Sequence, residues 1–186
     1  MSELFSIQLQ NRQQQGRDGV WLNLPTTTEQ VQAALRQIGI SSDNPQGLFI
    51  SGYFAEEEKR FAIPYNLVLA SNVDELNFLA ARLETLSAGE RAELNAALQA
   101  PQSELFSIGR ITDFPENVDY YVHLPDVHGP AQLGDYYLNR SGMVDMPEEW
   151  KGGIDTAQFG RYVAQQEQGA FTQYGYLVKS GDEWQK

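Results

Sequence analysis

The chain has 186 residues, no cysteine, and 25 Asp and Glu against 13 Lys and Arg, giving a formal net charge of −12 with 41% hydrophobic residues. That apolar fraction is enough to build a core, and the missing thiols exclude disulfides, thiolate metal sites and cysteine nucleophiles. The acidic excess disfavours direct contact with nucleic acid or an anionic membrane, and its natural complement is a basic partner.

The first segment reads as a small sheet with one helix. Phe5, Ile7 and Leu9 alternate, as do Val20, Leu22 and Leu24, which is the period of a half-buried strand. Gln13 to Gly16 is the loop between them. After Pro25 a run of threonines offers caps, and Val31, Ala34, Leu35 and Ile38 share one helical face that Gly39 ends. A third strand is expected near Leu48-Phe49-Ile50, before the charged turn Glu56 to Arg60.

The middle segment reads as helical. Asn72 with Glu75 and Ser87 with Glu90 have the spacing of capping boxes, so two helices start there. Leu76, Leu79, Ala80 and Leu83 form one stripe, Leu94, Ala97 and Leu98 the other, and Pro101 blocks continuation. Leu67-Val68-Leu69 is assigned to the same bundle. Neither helix is stable alone, so each must pack on the other or on a neighbouring module.

In the last segment Ser2 to Ile7 recurs unchanged as Ser103 to Ile108, and Val20 to Pro25 is echoed by Tyr120 to Pro125. Both halves then read strand, loop, strand, Leu-Pro, which predicts related strand pairs. Asp155 is expected to cap a helix with Phe159, Tyr162 and Val163 inward and Gly169 at its end. One last strand is expected from Phe171 to Val178. The resulting fold class is α+β, a chain of three small modules: sheet plus helix over 1–62, a helical bundle over 63–101, and sheet plus helix over 102–186.

No phosphate loop, nucleophile elbow or zinc-protease helix is present. His123 and His128 flank Pro125-Asp126 at a spacing that matches no standard ligand pattern, so no metal ligand, catalytic residue or cofactor is assigned. The tyrosines 120, 121, 136, 137, 174 and 176 lack the surrounding Lys and Arg of a base-stacking platform and read as packing residues. With no basic leader and no stretch near the ~18 apolar residues of a membrane span, the expectation is a cytoplasmic protein with no membrane contact.

The negative charge is uneven. Residues 1–60 carry 5 positive and 7 negative side chains, 61–100 carry 2 and 5, and 101–186 carry 6 and 13. The window 113–149 holds eight carboxylates against Arg140 alone. A solubilising surface accounts for such an excess in many acidic proteins.

Five blocks point further: Trp21-Leu22-Asn23-Leu24-Pro25, Val73 to Ala80 with Leu83 and Leu86, and, most specific, Leu133-Gly134-Asp135-Tyr136-Tyr137, Ile154 to Arg161 and Gly169 to Tyr176. On these the sequence resembles the ArdA antirestriction proteins, carried by mobile genetic elements, which block type I restriction-modification enzymes by imitating DNA. The resemblance spans nearly the whole chain. It implies an elongated homodimer of three-module chains that is not an enzyme and occupies the partner's DNA-binding groove. The near-neutral first segment departs from the family pattern, as does Gly47 to Gly52, where members often carry an acidic strand.

Duplex DNA carries one phosphate per ~1.7 Å of axis, so 25 carboxylates match ~42 Å of duplex and a net of 12 matches ~20 Å. The expected phosphate-mimicking acids are Asp113, Glu116, Asp119, Asp126, Asp135, Asp145, Glu148 and Glu149, with Asp74, Glu75 and Glu84 on a helix. Two other readings use the same charge. One is an acidic module that binds another basic DNA-binding protein, and the other a carboxylate-dependent hydrolase.

Overall fold

The computed structural model describes residues 3–14, 18–41, 46–57 and 60–185. Among these, the strands are β1 (Phe5–Asn11), β2 (Val20–Leu24), β3 (Leu48–Phe54), β4 (Tyr121–Leu124), β5 (Ala170–Thr172) and β6 (Gly175–Lys179). The α-helices are α1 (Thr28–Gln37), α2 (Tyr65–Ala70), α3 (Val73–Glu84), α4 (Ala88–Gln99), α5 (Ile108–Thr112), α6 (Pro130–Asp135), α7 (Glu148–Lys151) and α8 (Thr156–Glu167). The protein is mixed α+β, and its backbone contacts group it into two compact units, one of residues 1–87 and 105–115, the other of 88–104 and 116–186.

In the first unit β1 is the centre of an antiparallel sheet in the order β2-β1-β3. Phe5, Ile7 and Leu9 are buried from one face of β1, with Leu22 and Leu24 of β2 beside them, as strand alternation requires. Thr27 caps α1 in a full capping box with Gln30, and Ala34 and Leu35 turn inward. Gly39 follows at φ 70°, a left-handed position that suits glycine. Asn72 Oδ1 accepts the Glu75 amide at 2.8 Å to start α3. The buried stripe of α3 is Val73, Leu76, Leu79, Ala80 and Leu83. It packs on β2 and α5, and Asn77 ties it to the β2–α1 turn by exchanging two hydrogen bonds with the Thr26 backbone, at 2.7 and 3.0 Å.

The second unit is built on the antiparallel sheet β4-β6-β5. Its core gathers Val127, Leu133 and Tyr176, with Leu124, Tyr136, Tyr137, Val163 and Phe171 packed around them. Helices α6 and α8 cross at very short range, which two glycines permit. A Cβ on Gly134 would lie 1.9 Å from the Thr156 carbonyl oxygen, and one on Gly160 would lie 1.8 Å from that of Pro130. Helix α6 runs on into a π-helical turn, Tyr136–Arg140, in which the Ser141 amide donates to the Tyr136 carbonyl at 2.8 Å. Helix α4 starts at Ala88, just after Ser87, and packs on β4 and β6.

Several expectations are corrected. The repeated hexapeptide does not repeat its structure, because Phe5–Asn11 is a strand whereas Ser107 caps α5, its hydroxyl accepting the Arg110 amide at 3.3 Å. After the second copy the chain continues Gly-Arg-Ile-Thr, which places Leu105, Ile108 and Ile111 at helical spacing, and all three are buried. The last strand is instead a hairpin, β5 and β6, since Gly175 at φ 118° turns the chain and a Cβ there would meet the Leu124 carbonyl oxygen at 2.4 Å. Tyr162 is 60% exposed rather than inward, because α8 meets α6 through Gly160. At the end of α8 the left-handed residue is Gln168, φ 57°, one before Gly169. Leu67-Val68-Leu69 lies in α2, which packs on β3. Of the middle segment, α3 belongs to the first unit and α4 to the second. Gln15, Gly16, Glu58 and Lys59, in the two expected loops, lie outside the described residues.

Candidate partner-binding surface

By sequence the first unit carries 11 acids and 7 bases, and the second 14 and 6, for net charges of −4 and −8. In the first unit Asp74 is exposed and Glu75 half-buried in the opening turn of α3, where both carboxylates favour the helix dipole. Glu84 is half-buried at the other end of α3, and Asp113 is half-buried as the C-cap of α5.

In the second unit, two expected residues meet. Glu116 and Asp119 sit on consecutive 3₁₀ turns, Phe114–Glu116 and Val118–Tyr120, and line a cleft of about 490 Å³ together with Asn117, Tyr120, Asp182, Glu183, Trp184 and Gln185. Four acidic residues thus line one cleft, and none of the described lining residues is basic. Tyr120 and Trp184 pack edge to face, centroids 5.1 Å apart. The C-terminal tail is held by the side chain of buried Asn117, which donates to the Gln185 carbonyl at 3.1 Å and accepts its amide at 2.7 Å, copying a strand pairing. Ser180 adds an amide and a hydroxyl hydrogen bond to the Tyr120 carbonyl, at 2.9 and 3.1 Å. These contacts hold the tail that carries Asp182 and Glu183 along the same cleft as Glu116 and Asp119.

The other expected acids lie on separate elements. Asp126 is exposed in the turn after β4, Asp145 is exposed before α7, and Glu148 and Glu149 are exposed in α7. Two are partly neutralised from within. Asp135 accepts from Arg140 at 2.5 and 3.0 Å and from Asn139 at 2.8 Å, and the Arg140 guanidinium and Asn139 amide hold its carboxyl below the usual range. Glu148 pairs with Lys151 at 2.9 Å, one helical turn away.

The sequence reading overlooked Asp182 and Glu183, which fall beyond the densest acidic window, and the α4 acids Glu90 and Glu93. Burial pushes the Glu93 carboxyl up to about 7, and repulsion from Asp119 and Glu90 adds to the shift. The only advance signal was the pairing of Asp182-Glu183 with Trp184 just after the last strand.

His123 Nε2 lies 2.7 Å from the Tyr174 carbonyl oxygen. Among the described residues no group of three His, Asp or Glu is arranged to hold a metal ion, and no helix is long and apolar enough to cross a membrane.

The sequence blocks that carried the family resemblance map onto the scaffold beside this surface. Leu133 to Tyr137 and Ile154 to Arg161 supply the two glycines of the α6–α8 crossing, and Gly169 to Tyr176 supplies the hairpin. The family model of the ArdA antirestriction proteins matches residues 15–178, and so covers both units. The chain belongs to the ArdA family. Membership implies an antirestriction function and an interaction with restriction-modification enzymes, in a family of inhibitor-type proteins. A search of curated proteins returned no match. In this ArdA chain the family blocks build packing of the scaffold, and the acids lie mostly outside those blocks.

Proposed function

We propose that the protein occupies the DNA-binding groove of type I restriction-modification enzymes, its fixed carboxylates standing in for backbone phosphates, and that it does so as a cytoplasmic homodimer. The observation that carries this reading is that Glu116, Asp119, Asp182 and Glu183 line one cleft of the more acidic unit. Lys and Arg side chains of a groove built for phosphate meet Asp and Glu oxygens through the same charge-assisted hydrogen bonds. Asp74, Glu75, Glu84 and Asp113 in the first unit, and Asp126, Asp135, Asp145, Glu148 and Glu149 in the second, add further negative charge, with Asp135 and Glu148 contributing less because each already holds a cation. No base sequence is read in such a contact, so enzymes of different recognition sequence are inhibited alike.

The test is cleavage of a plasmid by a purified type I enzyme with increasing amounts of the protein. Added DNA restores cleavage if the two compete for one groove. Inhibition that excess DNA leaves untouched contradicts the reading, and binding only to some other basic DNA-binding protein replaces it with the acidic-module alternative.

A further inference from the structure

The sheet of the first unit has two edges, and they are treated differently. At β3 the pairing with β1 is broken by a register shift beside Gln8 and Leu9, α2 packs against the strand, and the Tyr65 hydroxyl donates to the Ser51 carbonyl at 3.4 Å. A bulge and a covering element are two of the ways in which proteins keep an edge strand from pairing further. At β2 neither is found. Its register against β1 runs unbroken from Val20 to Leu24, and its five residues include no charge and no proline. Leu22 and Leu24 are buried while Trp21 and Asn23 are exposed, so α1 and α3 meet β2 on its inner face. Among the described residues, neither Trp21 nor Asn23 shares a backbone hydrogen bond with anything outside the sheet.

Beside this edge runs a groove of about 410 Å³, lined by Trp21, Asn23, Thr26, Thr27, Gln30 and Glu3 among others. Two of its side chains are held in place. The Trp21 ring reaches across β1 to Gly52 of β3, where a Cβ would come within 3.0 Å of it, and Asn23 Oδ1 accepts the Ser6 hydroxyl at 2.7 Å. Glu3 is the charged residue among the described lining.

We propose that the β2 edge takes up an extended, lysine- or arginine-bearing segment of another protein as a fourth strand of this sheet. Alternating amides and carbonyls along an open edge are matched by another extended backbone, which fixes the class of ligand. Trp21 offers an apolar wall to one side chain of the incoming strand, and Glu3 offers a counter-charge to a basic one. A second copy of the chain is the poorer occupant, since it sets another unit of net charge −4 against the first. The proposal goes beyond phosphate mimicry and does not depend on it.

The probe is the peptide acetyl-Lys-Thr-Val-Thr-Val-Lys-amide, titrated into the full chain with backbone amide NMR. The Trp21 and Asn23 amide signals shift, and near saturation their hydrogen exchange slows about tenfold. A strand bound along one edge uses only alternate amides. Of two peptides N-methylated at alternate phases, one therefore loses more than about tenfold in affinity and the other keeps most of it. Exchanging both lysines for glutamates weakens binding about tenfold at low salt. W21K, which adds the kind of charge that blunts edges, weakens it more than about tenfold, and the methylated pair decides the matter should that variant fail to fold. β2 amides that the peptide leaves unmoved, two methylated peptides of equal affinity, or a glutamate peptide that binds as well each overturn the proposal. So do Trp21 and Asn23 amides whose protection in the free protein rises with its concentration, because a second copy then holds the edge. A restriction enzyme that ignores the protein removes the mimicry reading and leaves these results unaffected.

Discussion

Tyr176 donates its hydroxyl to Glu167 Oε2 at 2.9 Å, joining β6 to the last turn of α8, while Tyr137 from the π-helical turn donates to Oε1 of the same carboxylate. One acid thus bridges three elements of the second unit. Removing it leaves two part-buried hydroxyls without that acceptor, so Glu167→Ala lowers stability by about 1–3 kcal/mol, read as a drop in urea midpoint at unchanged m. Tyr176→Phe, which loses one hydrogen bond and keeps the ring, costs about 1–2 kcal/mol.

The same bridge sets an alkaline limit. Burial and the Glu167 carboxylate raise both tyrosines well above their ordinary value of 10.0. The folded chain keeps these protons where the unfolded chain has lost them, so the stability they confer is complete below pH 10 and drains away as pH rises beyond it. Urea midpoints that fall between pH 9 and pH 11 in wild type, and fall less in the Tyr137→Phe, Tyr176→Phe double variant, are the expected pattern. Parallel curves argue against it.

The α6–α8 crossing makes a sharper demand. A Cβ on Gly134 or Gly160 lies under 2 Å from backbone oxygen of the facing segment, which no side-chain rotation relieves. Gly134→Ala and Gly160→Ala each cost more than about 3 kcal/mol or prevent the second unit from folding. Gly152→Ala is the control. It has open space around its Cβ and ordinary helical φ, and changes stability by less than about 1 kcal/mol.

Glu93 gives an acid-side signature. Its raised folded value means that its stabilising contribution is complete below 4.5 and is lost as pH rises through about 7. Glu93→Gln mimics the protonated form, so the variant matches wild type at pH 5 and is more stable at pH 8. Thermal melts at the two pH values decide this, and a variant less stable at pH 8 would contradict the assignment.

Inhibition should be spread over many acids. Any one of Glu116→Gln, Asp119→Asn, Asp182→Asn or Glu183→Gln weakens inhibition less than about threefold, because exposed charge contacts are individually worth under about 1 kcal/mol. The four together with Asp126→Asn and Glu149→Gln weaken it more than about thirtyfold. A single substitution that abolishes inhibition in a folded protein argues for a localised site instead.

Local periodicity made the elements of the first unit legible. Alternation exposed β1 and β2, and Thr27, Asn72 and Asp155 cap the helices that their spacing foretold, with Asp155 accepting the Gln158 amide at 2.9 Å. Where the outcome depended on residues outside the motif itself, the reading failed. Ser103 to Ile108 shares every residue with a strand-forming copy, and only its downstream Gly-Arg-Ile-Thr turns it into a helix start. Tyr162 looked inward by spacing, but the face of α8 is chosen by a glycine that admits α6. Charge density in sequence located Glu116 and Asp119 and not Asp182 and Glu183, which join the same cleft on the tail that Asn117 pins in place.

The most direct test of phosphate mimicry is the affinity of the protein for a DNA-free type I enzyme, measured from 50 to 400 mM salt beside that of a DNA duplex. The account predicts that log Kd rises steeply and linearly with log salt for both ligands, and that each displaces the other. An affinity that stays flat across the salt series, or a ternary complex of enzyme, DNA and protein, would contradict it.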